Sequence, residues 1–199
     1  MSRPLTEKGR STRQRIVEGA ASVIRERGVA ATTLDDVLVR TRTSKSQIFH
    51  YFPAGKEELL LAVAEHEAAL VLSDQQPQLG SLNSWRAWQE WREAVLDRYR
   101  RQGEQCPLNV LLTQLGRNTP GAQAVVSRLL ERWQSEIATG IREMQRQRKV
   151  ASKIDPDQVA AALLAGIQGG VVVMLSTGSL THLEAALDVG ISNLRSNRT

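Results

Sequence analysis

The feature that most constrains this chain is a pair of helix-start signals that lie close together. Thr33 precedes Asp36 by three residues, and Ser44 precedes Gln47 by three residues. In such capping boxes, side chains satisfy backbone N–H groups that the first turn of a helix leaves free. The spacing predicts two short helices joined by a tight turn, the second of them covering residues 45–51.

A third helix precedes this pair. The S-x-x-Q pattern at Ser11 predicts its start, and Gly28 predicts its end. Between them, apolar residues recur at helical spacing on one face: Ile16, Val17, Ala20, Ala21 and Ile24. Three short helices, with few residues between the second and the third, form the geometry of a helix-turn-helix. In that motif the second helix of the pair enters the major groove of DNA.

The positive charge of the chain is concentrated in this same region. Residues 1–56 contain 11 Lys and Arg against 5 Asp and Glu, a balance of +6, whereas the whole chain carries +5. A basic module attached to a near-neutral body is the electrostatic footprint of a nucleic-acid-binding protein. The sequence therefore predicts a DNA-binding domain at residues 1–56 and a second domain at residues 57–199.

Helical spacing continues through the second domain, and no alternating strand pattern interrupts it. Helices are predicted at about 56–72, 82–101, 107–115, 122–148, 156–175 and 180–194. With the three N-terminal helices this makes about nine. The predicted fold class is all-α, with an N-terminal helix-turn-helix domain followed by a C-terminal helical domain.

The second helix of the pair presents its N-terminal side chains to base edges in this geometry. Those side chains belong to Lys45, Ser46, Gln47, Phe49 and His50. Lys45 has the chemistry to bond guanine and Gln47 to bond adenine, so both are candidates for base readout; the alternative is solvated surface. Ser44, Tyr51 and Lys56 are placed for phosphates. Lys56 opens a helix whose free N–H groups attract the same anion.

At these residues the chain resembles the DNA-binding domain of TetR-type transcriptional regulators. The matching motifs are TTLDDV, then TSKSQIFHYF, then GKEELL, in the order and spacing typical of that family over residues 11–60. The resemblance implies a dimer contact through the last two of nine helices and a ligand pocket enclosed by the middle ones. The FPAGKEEL form also resembles a subgroup that includes regulators of multidrug resistance.

Three positions depart from the family pattern. Arg42 stands where the turn between the two helices usually has Gly, so either it adopts a positive φ at some cost or the turn differs. Its charge also makes it a candidate phosphate contact. Phe49 replaces a Tyr whose hydroxyl touches a phosphate, so that bond is lost. Leu38 replaces Ala, which predicts slightly wider packing between the two helices.

The stretch at residues 159–175 is apolar on nearly every face and rich in Ala and Gly, which let another helix approach closely. It falls short of the roughly 20 residues that span a bilayer, so we interpret it as a buried helix. Apolar residues also recur in the final helix: Leu183, Leu187, Ile191 and Leu194. We predict a homodimer through helices at about 156–175 and 180–195; the alternative is that both only form the core of a monomer.

The second domain contains all four tryptophans and several polar residues on otherwise apolar helices. Six of these residues are candidates for a ligand pocket: Trp85, Trp88, Cys106, Asn109, Trp133 and Gln168. Aromatic rings with a few polar groups line many ligand cavities, and an ordinary core position is the alternative for each Trp. No charge cluster demands an ionic ligand, which predicts an unknown effector that is largely apolar. Cys106 is interpreted as an inert buried thiol, with a redox role as the alternative.

Together these features predict a ligand-responsive, dimeric transcriptional regulator: a repressor released from a palindromic double-stranded DNA operator by a small molecule. The alternative is a DNA-binding dimer with no small-molecule effector. An enzyme, a metal and a cofactor are not expected, because the three histidines are scattered and no nucleophile motif or Gly-rich phosphate loop occurs. A single cysteine, a polar N-terminus and no expected membrane partner fit a cytoplasmic protein that joins the bacterial nucleoid when bound to DNA.

Overall fold

The computed structural model describes residues 5–102 and 120–196, and within these ranges every regular element is helical. Eight α-helices follow in chain order: α1 (Glu7–Arg27), α2 (Leu34–Thr41), α3 (Lys45–Tyr51), α4 (Lys56–Ser73), α5 (Trp85–Gln102), α6 (Pro120–Arg146), α7 (Pro156–Thr177) and α8 (Thr181–Ser196). A short 3-10 helix, Leu79–Ser81, lies between α4 and α5. The all-α prediction is confirmed. The helix predicted at 107–115 lies outside the described residues, as do Cys106 and Asn109.

Both predicted capping boxes form. Thr33 Oγ1 accepts a hydrogen bond from Asp36 N at 3.2 Å, and the Asp36 carboxylate accepts one from Thr33 N at 2.9 Å. Hydrogen bonds from Thr33 lower the pKa of Asp36, because they favour the charged carboxylate. At α3, Ser44 Oγ accepts from Gln47 N at 3.2 Å, and Gln47 Oε1 accepts from Ser44 N at 2.9 Å. These local bonds fix where α2 and α3 begin.

The start of α1 differs from the prediction. The helix begins at Glu7, and its N-cap is Thr6 rather than Ser11, with Thr6 Oγ1 accepting from Gly9 N at 3.2 Å. Ser11 lies inside the helix because an earlier hydroxyl satisfies the first turn and an acidic residue follows it, which the helix dipole favours. The end of α1 is as predicted, since Gly28 stops it with a φ of 82°.

The chain divides into two compact units. Among the described residues, unit 1 comprises residues 5–70 and 120–126, and unit 2 comprises residues 71–102 and 127–196. The core of unit 1 contains the predicted apolar face of α1 together with residues of α2, α3 and α4: Ile16, Val17, Ile24, Val37, Ile48, Phe52, Leu59 and Val63. The core of unit 2 is dominated by aromatic and branched side chains: Trp88, Trp91, Tyr99, Trp133, Ile137, Ile167, Leu183, Leu187 and Ile191.

An ion pair joins α1 to α4 in the interior of unit 1. Arg25 Nη1 contacts Glu67 Oε1, and the Glu67 side chain is fully buried. Gln14 Nε2 and His66 Nδ1 form a second link between the same helices at 3.3 Å. Because a buried carboxylate needs a nearby cation, this pair favours one position of α4 against α1.

Helix α7 is longer than predicted and only partly buried. It has 22 residues, and it is the one helix in the described ranges that is long and apolar enough to cross a membrane. Only 39% of its most apolar 18-residue segment is buried. The helix begins at residue 156 as predicted and continues two residues beyond the predicted end, to Thr177. One face packs on α8, whereas Val172 on another face is 57% exposed. The buried-helix interpretation therefore holds for one face only.

Candidate functional site

Helix α3 turns one side chain inward and most of the others outward. Ile48 is 1% exposed and packs in the core of unit 1. The five residues predicted to face DNA are all exposed: Lys45, Ser46, Gln47, Phe49 and His50. Phe52, just after the helix, is fully buried, and the Arg13 guanidinium lies 5.0 Å from its ring centroid. The short helix is thus held by its inner side and presents polar, basic and aromatic groups to solvent.

In the turn between α2 and α3, Arg42 adopts a left-handed backbone conformation, which was one of the two alternatives predicted from the sequence. Arg42 has a φ of 50° and a ψ of 44°, and its N–H bonds to Leu38 O at the end of α2. The buried hydroxyls of Thr41 and Thr43 share a hydrogen bond at 2.6 Å, and Arg15 donates to Thr41 O. These contacts hold the turn in a conformation that costs a non-glycine residue about 1 kcal/mol.

Replacing Arg42 with Gly is expected to raise the free energy of unfolding by about 0.5–1 kcal/mol. Glycine adopts a positive φ without steric cost, and that gain exceeds the added entropy of the unfolded chain. Thermal unfolding should show an increase in Tm of about 2–4 °C for each kcal/mol gained in a chain of this size. Arg42→Ala is the matched control, because it removes the same side chain and keeps the strained backbone. An equal gain in both variants would contradict the backbone explanation.

The Gln47 amide has a structural bond as well as an outward position. Its Oε1 atom accepts from Ser44 N within the capping box, so the carbonyl side of the amide is used by the helix itself. The Nε2 amino group is the part that remains for a DNA partner. The Ser44 hydroxyl is used as an acceptor, which leaves its proton to donate.

Lys56 has a partner within the protein. Its Nζ donates to Thr32 O at 2.5 Å and lies 3.5 Å from Val29 O, so the side chain ties the start of α4 to the loop before α2. Two of the three ammonium protons are used in these bonds, which leaves one for the predicted phosphate contact. Tyr51 is half-buried, with its ring edge-on to the His50 ring at 4.8 Å between centroids. The local pattern of the sequence contains no signal for the Lys56 bond, because its partner is 24 residues away.

A small groove of about 160 Å³ lies between α2 and α3. Its lining is Leu34, Asp35, Leu38, Lys45, Ile48 and Phe49. Leu38 is the residue that departs from the family pattern, and the Phe49 side chain is 42% exposed. Leu34 and Asp35 were not among the predicted site residues. They could have been predicted from their position in the first turn of α2, the helix that precedes α3.

The predicted ligand residues of unit 2 fall into three environments. Trp88 and Trp133 are fully buried, and the amide atoms of Gln168 are also buried. Trp85 is half-buried near the surface, with the Arg195 guanidinium 4.9 Å from its ring centroid. None of these four lines the cavity of about 470 Å³ between the 3-10 helix and α6, which sequence reasoning did not foresee.

Two family models match the chain. The model of bacterial regulatory proteins of the tetR family matches residues 16–63, and that of the tetracyclin repressor-like C-terminal domain matches residues 83–189. This chain belongs to the TetR family. Regulators of the TetR family bind DNA through an N-terminal helix-turn-helix and act as dimers with small-molecule effectors. The family assignment made from TTLDDV and the two motifs after it is confirmed.

Relatives of this TetR-family chain match along most of its length. An HTH-type transcriptional regulator of Mycobacterium tuberculosis is 27% identical over 190 residues, covering 86% of this chain and 88% of that protein. A TetR-family regulator from Cytophaga hutchinsonii is 19% identical with a TM-score of 0.81, covering 97% and 98%. A transcriptional regulator from Saccharomonospora viridis, in complex with choline, is 24% identical with a TM-score of 0.74, covering 92% and 96%. The solved structures share the TetR fold.

Proposed function

We propose that this protein is a dimeric, ligand-responsive repressor that binds a palindromic operator through α3 and leaves it when a small molecule binds. The observation that carries the proposal is the exposure of Lys45, Ser46, Phe49 and His50 on a helix whose inner residue is fixed in the core. We place the DNA-binding domain at residues 1–56 and the ligand-binding and dimerisation domain at residues 57–199. Such a protein acts in the cytoplasm, on the nucleoid.

Selection of bound sites from random double-stranded DNA tests this proposal directly. A dimer with two recognition helices requires two inverted half-sites whose centres are one helical turn apart, about 34–36 Å, or a multiple of that distance. Recovery of a palindrome with this spacing supports the proposal. Recovery of a single half-site, or of no preferred sequence, contradicts it.

The phosphate contacts are proposed for groups at the two ends of α3. The Ser44 hydroxyl donates at its N-terminus, and Tyr51 lies at its C-terminus. Arg42 is exposed in the turn just before α3, so we propose that its charge contacts the DNA backbone beside the Ser44 hydroxyl. Lys56 contributes either directly, through the ammonium proton that its bonds to Thr32 O and Val29 O leave, or through the N-terminus of α4 that it opens.

Replacing Gln47 with Ala is expected to weaken binding to the selected operator about fivefold, the loss of roughly 1 kcal/mol for one base contact. Binding to random DNA should change little, because non-specific affinity depends on phosphate contacts. Gln47→Glu is the matched variant: its carboxylate keeps the bond to Ser44 N but cannot donate to a base. It should move the preference at that base pair toward cytosine, whose amino group it can accept. Equal losses on specific and random DNA would remove Gln47 from base readout.

The dimer contact is proposed on the outer faces of α7 and α8. Val172 and Val189 are 57% and 59% exposed, although both lie on helices whose inner faces are packed together. Small residues beside Val172 on α7 are exposed as well: Ala161, Ala162, Ala165 and Gly169. A second copy of the same two helices would bury these exposed apolar residues and remove them from water.

Replacing Val172 with Asp is expected to raise the dissociation constant of the dimer at least about 100-fold. Two-fold symmetry places the new carboxylate in the contact twice, without a cation to compensate it. Sedimentation at several concentrations should show monomer, and operator affinity should fall in parallel. Val39→Asp is the control, since Val39 is 81% exposed on α2 in unit 1. A Val172→Asp protein with an unchanged dimer mass would contradict this contact.

Ligand response requires that the effector bind one state of the dimer better than another. Only that difference in affinity can shift the protein away from the DNA-binding state. The candidate ligand residues remain Trp85, Trp88, Cys106, Asn109, Trp133 and Gln168. Support comes from the choline complex of the Saccharomonospora viridis regulator, which shows a small molecule bound to a protein of this fold. A compound that raises thermal stability but never weakens operator binding is not an effector in this sense.

A further inference from the structure

Three uncharged side chains of unit 2 have buried hydrogen-bonding atoms that meet no partner in the part of the chain that the structure describes. They are the Nε1 atoms of Trp88 and Trp133 and both amide atoms of Gln168. The two indole rings are fully buried. The residues come from three different helices, α5, α6 and α7. Each buried N–H without a partner costs about 1–3 kcal/mol, and native proteins keep few of them.

A neighbouring tryptophan shows that the same fold satisfies an indole when the bond is structural. Trp91 lies one turn beyond Trp88 on α5, is equally buried, and meets it edge to face with 5.7 Å between ring centroids. Its Nε1 donates to Gln75 Oε1 at 3.0 Å. Of two adjacent buried indoles, one is therefore paired inside the protein, and the other has no acceptor among residues 5–102 and 120–196.

The buried charge of unit 2 is already neutralised. Arg98 is 3% exposed, donates to Val71 O at 3.1 Å and pairs with Asp74 at 3.1 Å. Apart from this ion-paired guanidinium, the buried groups of this unit without a partner among the described residues are two neutral indole donors and one neutral amide. An ionic ligand would lose its hydration without gaining a counter-charge, which costs several kcal/mol.

We propose that the effector is an uncharged molecule with at least two carbonyl-type acceptors, which take the indole protons of Trp88 and Trp133 while the Gln168 amide bonds a third polar group. The inference rests on the proposed ligand response and adds the chemical class of the ligand. A neutral acceptor satisfies the buried donors at no cost in charge burial, whereas an apolar molecule of the same shape leaves them unsatisfied.

Four probes of matched shape test this class: 1,3-diacetylbenzene, 1,3-diisopropenylbenzene, isophthalate and meta-xylylenediamine. The first has two neutral carbonyls, the second replaces each C=O with C=CH₂, and the last two are an anion and a cation. Calorimetry on the full-length protein should show 1,3-diacetylbenzene binding at least tenfold more tightly than 1,3-diisopropenylbenzene, and no binding of the charged pair. Equal affinity of the two neutral probes, preference for a charged probe, or binding of none overturns the proposal.

Indole N–H resonances and two matched variants locate the contact. Adding 1,3-diacetylbenzene should move the Trp88 and Trp133 indole signals downfield and leave the Trp91 signal in place. Trp133→Phe keeps an aromatic ring but removes the donor, so it should lower the preference for the diacetyl probe over the diisopropenyl probe about fivefold. Trp91→Phe, whose donor is used by Gln75, should leave that ratio unchanged. Equal changes in the ratio for both variants would contradict the assignment.

Operator binding separates a failure of this inference from a failure of the proposed function. A protein that selects no DNA palindrome loses the proposed function, whatever the probes do. A protein that selects a palindrome but ranks the four probes in another order keeps its DNA-binding role and loses only the ligand class proposed for it.

Discussion

Replacing Gly170 with Val should lower the free energy of unfolding by about 3 kcal/mol or more, because α7 and α8 touch backbone to backbone at this residue. A Cβ atom at Gly170 would lie 2.6 Å from Leu183 Cα and 2.8 Å from Leu183 N. Backbone atoms of a packed helix cannot rotate away, so the two helices must separate, and overpacking of this kind is strongly destabilising. Chemical denaturation at several protein concentrations measures the loss and separates it from any effect on dimerisation.

The adjacent glycine provides the control. A Cβ atom at Gly169 would meet nothing within 4 Å. Measured at concentrations where the protein is monomeric, because Gly169 lies on the proposed dimer face, Gly169→Ala should therefore raise the stability by about 0.5–1 kcal/mol, the ordinary gain in helix propensity. Opposite signs at neighbouring positions of one helix would confirm the contact with α8. A loss of the same size in both variants would show that glycine acts through flexibility of α7 and not through the close approach.

Replacing Arg25 with Met should destabilise unit 1 by about 3–5 kcal/mol, the usual cost of removing one partner of a buried ion pair. Methionine keeps most of the apolar stem of Arg25, so the change tests the charge more than the packing. The Glu67 carboxylate is fully buried and loses its guanidinium partner in this variant. Denaturant unfolding followed by far-UV circular dichroism gives the loss directly.

A double variant distinguishes loss of the ion pair from loss of contact area. Adding Glu67→Leu to Arg25→Met removes the carboxylate that the first change leaves behind, so most of the lost stability should return. A coupling energy of several kcal/mol between the two changes supports the ion pair as the link between α1 and α4. Additive losses in the double variant would contradict it.

Local patterns predicted the elements whose bonds are local. The boxes at Thr33 and Ser44 join residues three positions apart, and both formed at the predicted positions. The helix predicted from residue 156 also begins there, and the Asp155 side chain caps it by accepting from Asp157 N and Gln158 N. Prediction from local patterns failed at Ser11, where an S-x-x-Q pattern of equal quality lies inside a longer helix. A cap pattern states that a helix can start at a residue, and an earlier cap at Thr6 supersedes it.

The remaining features of the site depend on partners far away in sequence. Lys56 was expected at a phosphate, and its bond to Thr32 O arises only when the fold brings α4 to the loop before α2. The pairing of Trp91 with Gln75, and the lack of such a partner for Trp88 within the described ranges, are likewise set by tertiary structure. Periodicity shows that these tryptophans face inward, but it contains no information about which indole nitrogen meets an oxygen.

The capping box at α3 has a consequence for how much sequence information each half-site holds. Gln47 points its carbonyl oxygen at Ser44 N, so it cannot turn both amide atoms to one base while the capping box is formed, and it meets DNA through the Nε2 donor. A donor alone is accepted by N7 of either purine and by the exocyclic oxygens of guanine and thymine, whereas adenine is singled out only by an amide that donates and accepts together. That base pair should therefore tolerate mutational drift between adenine and guanine. Operators of this regulator can differ at that base pair without losing affinity for the protein.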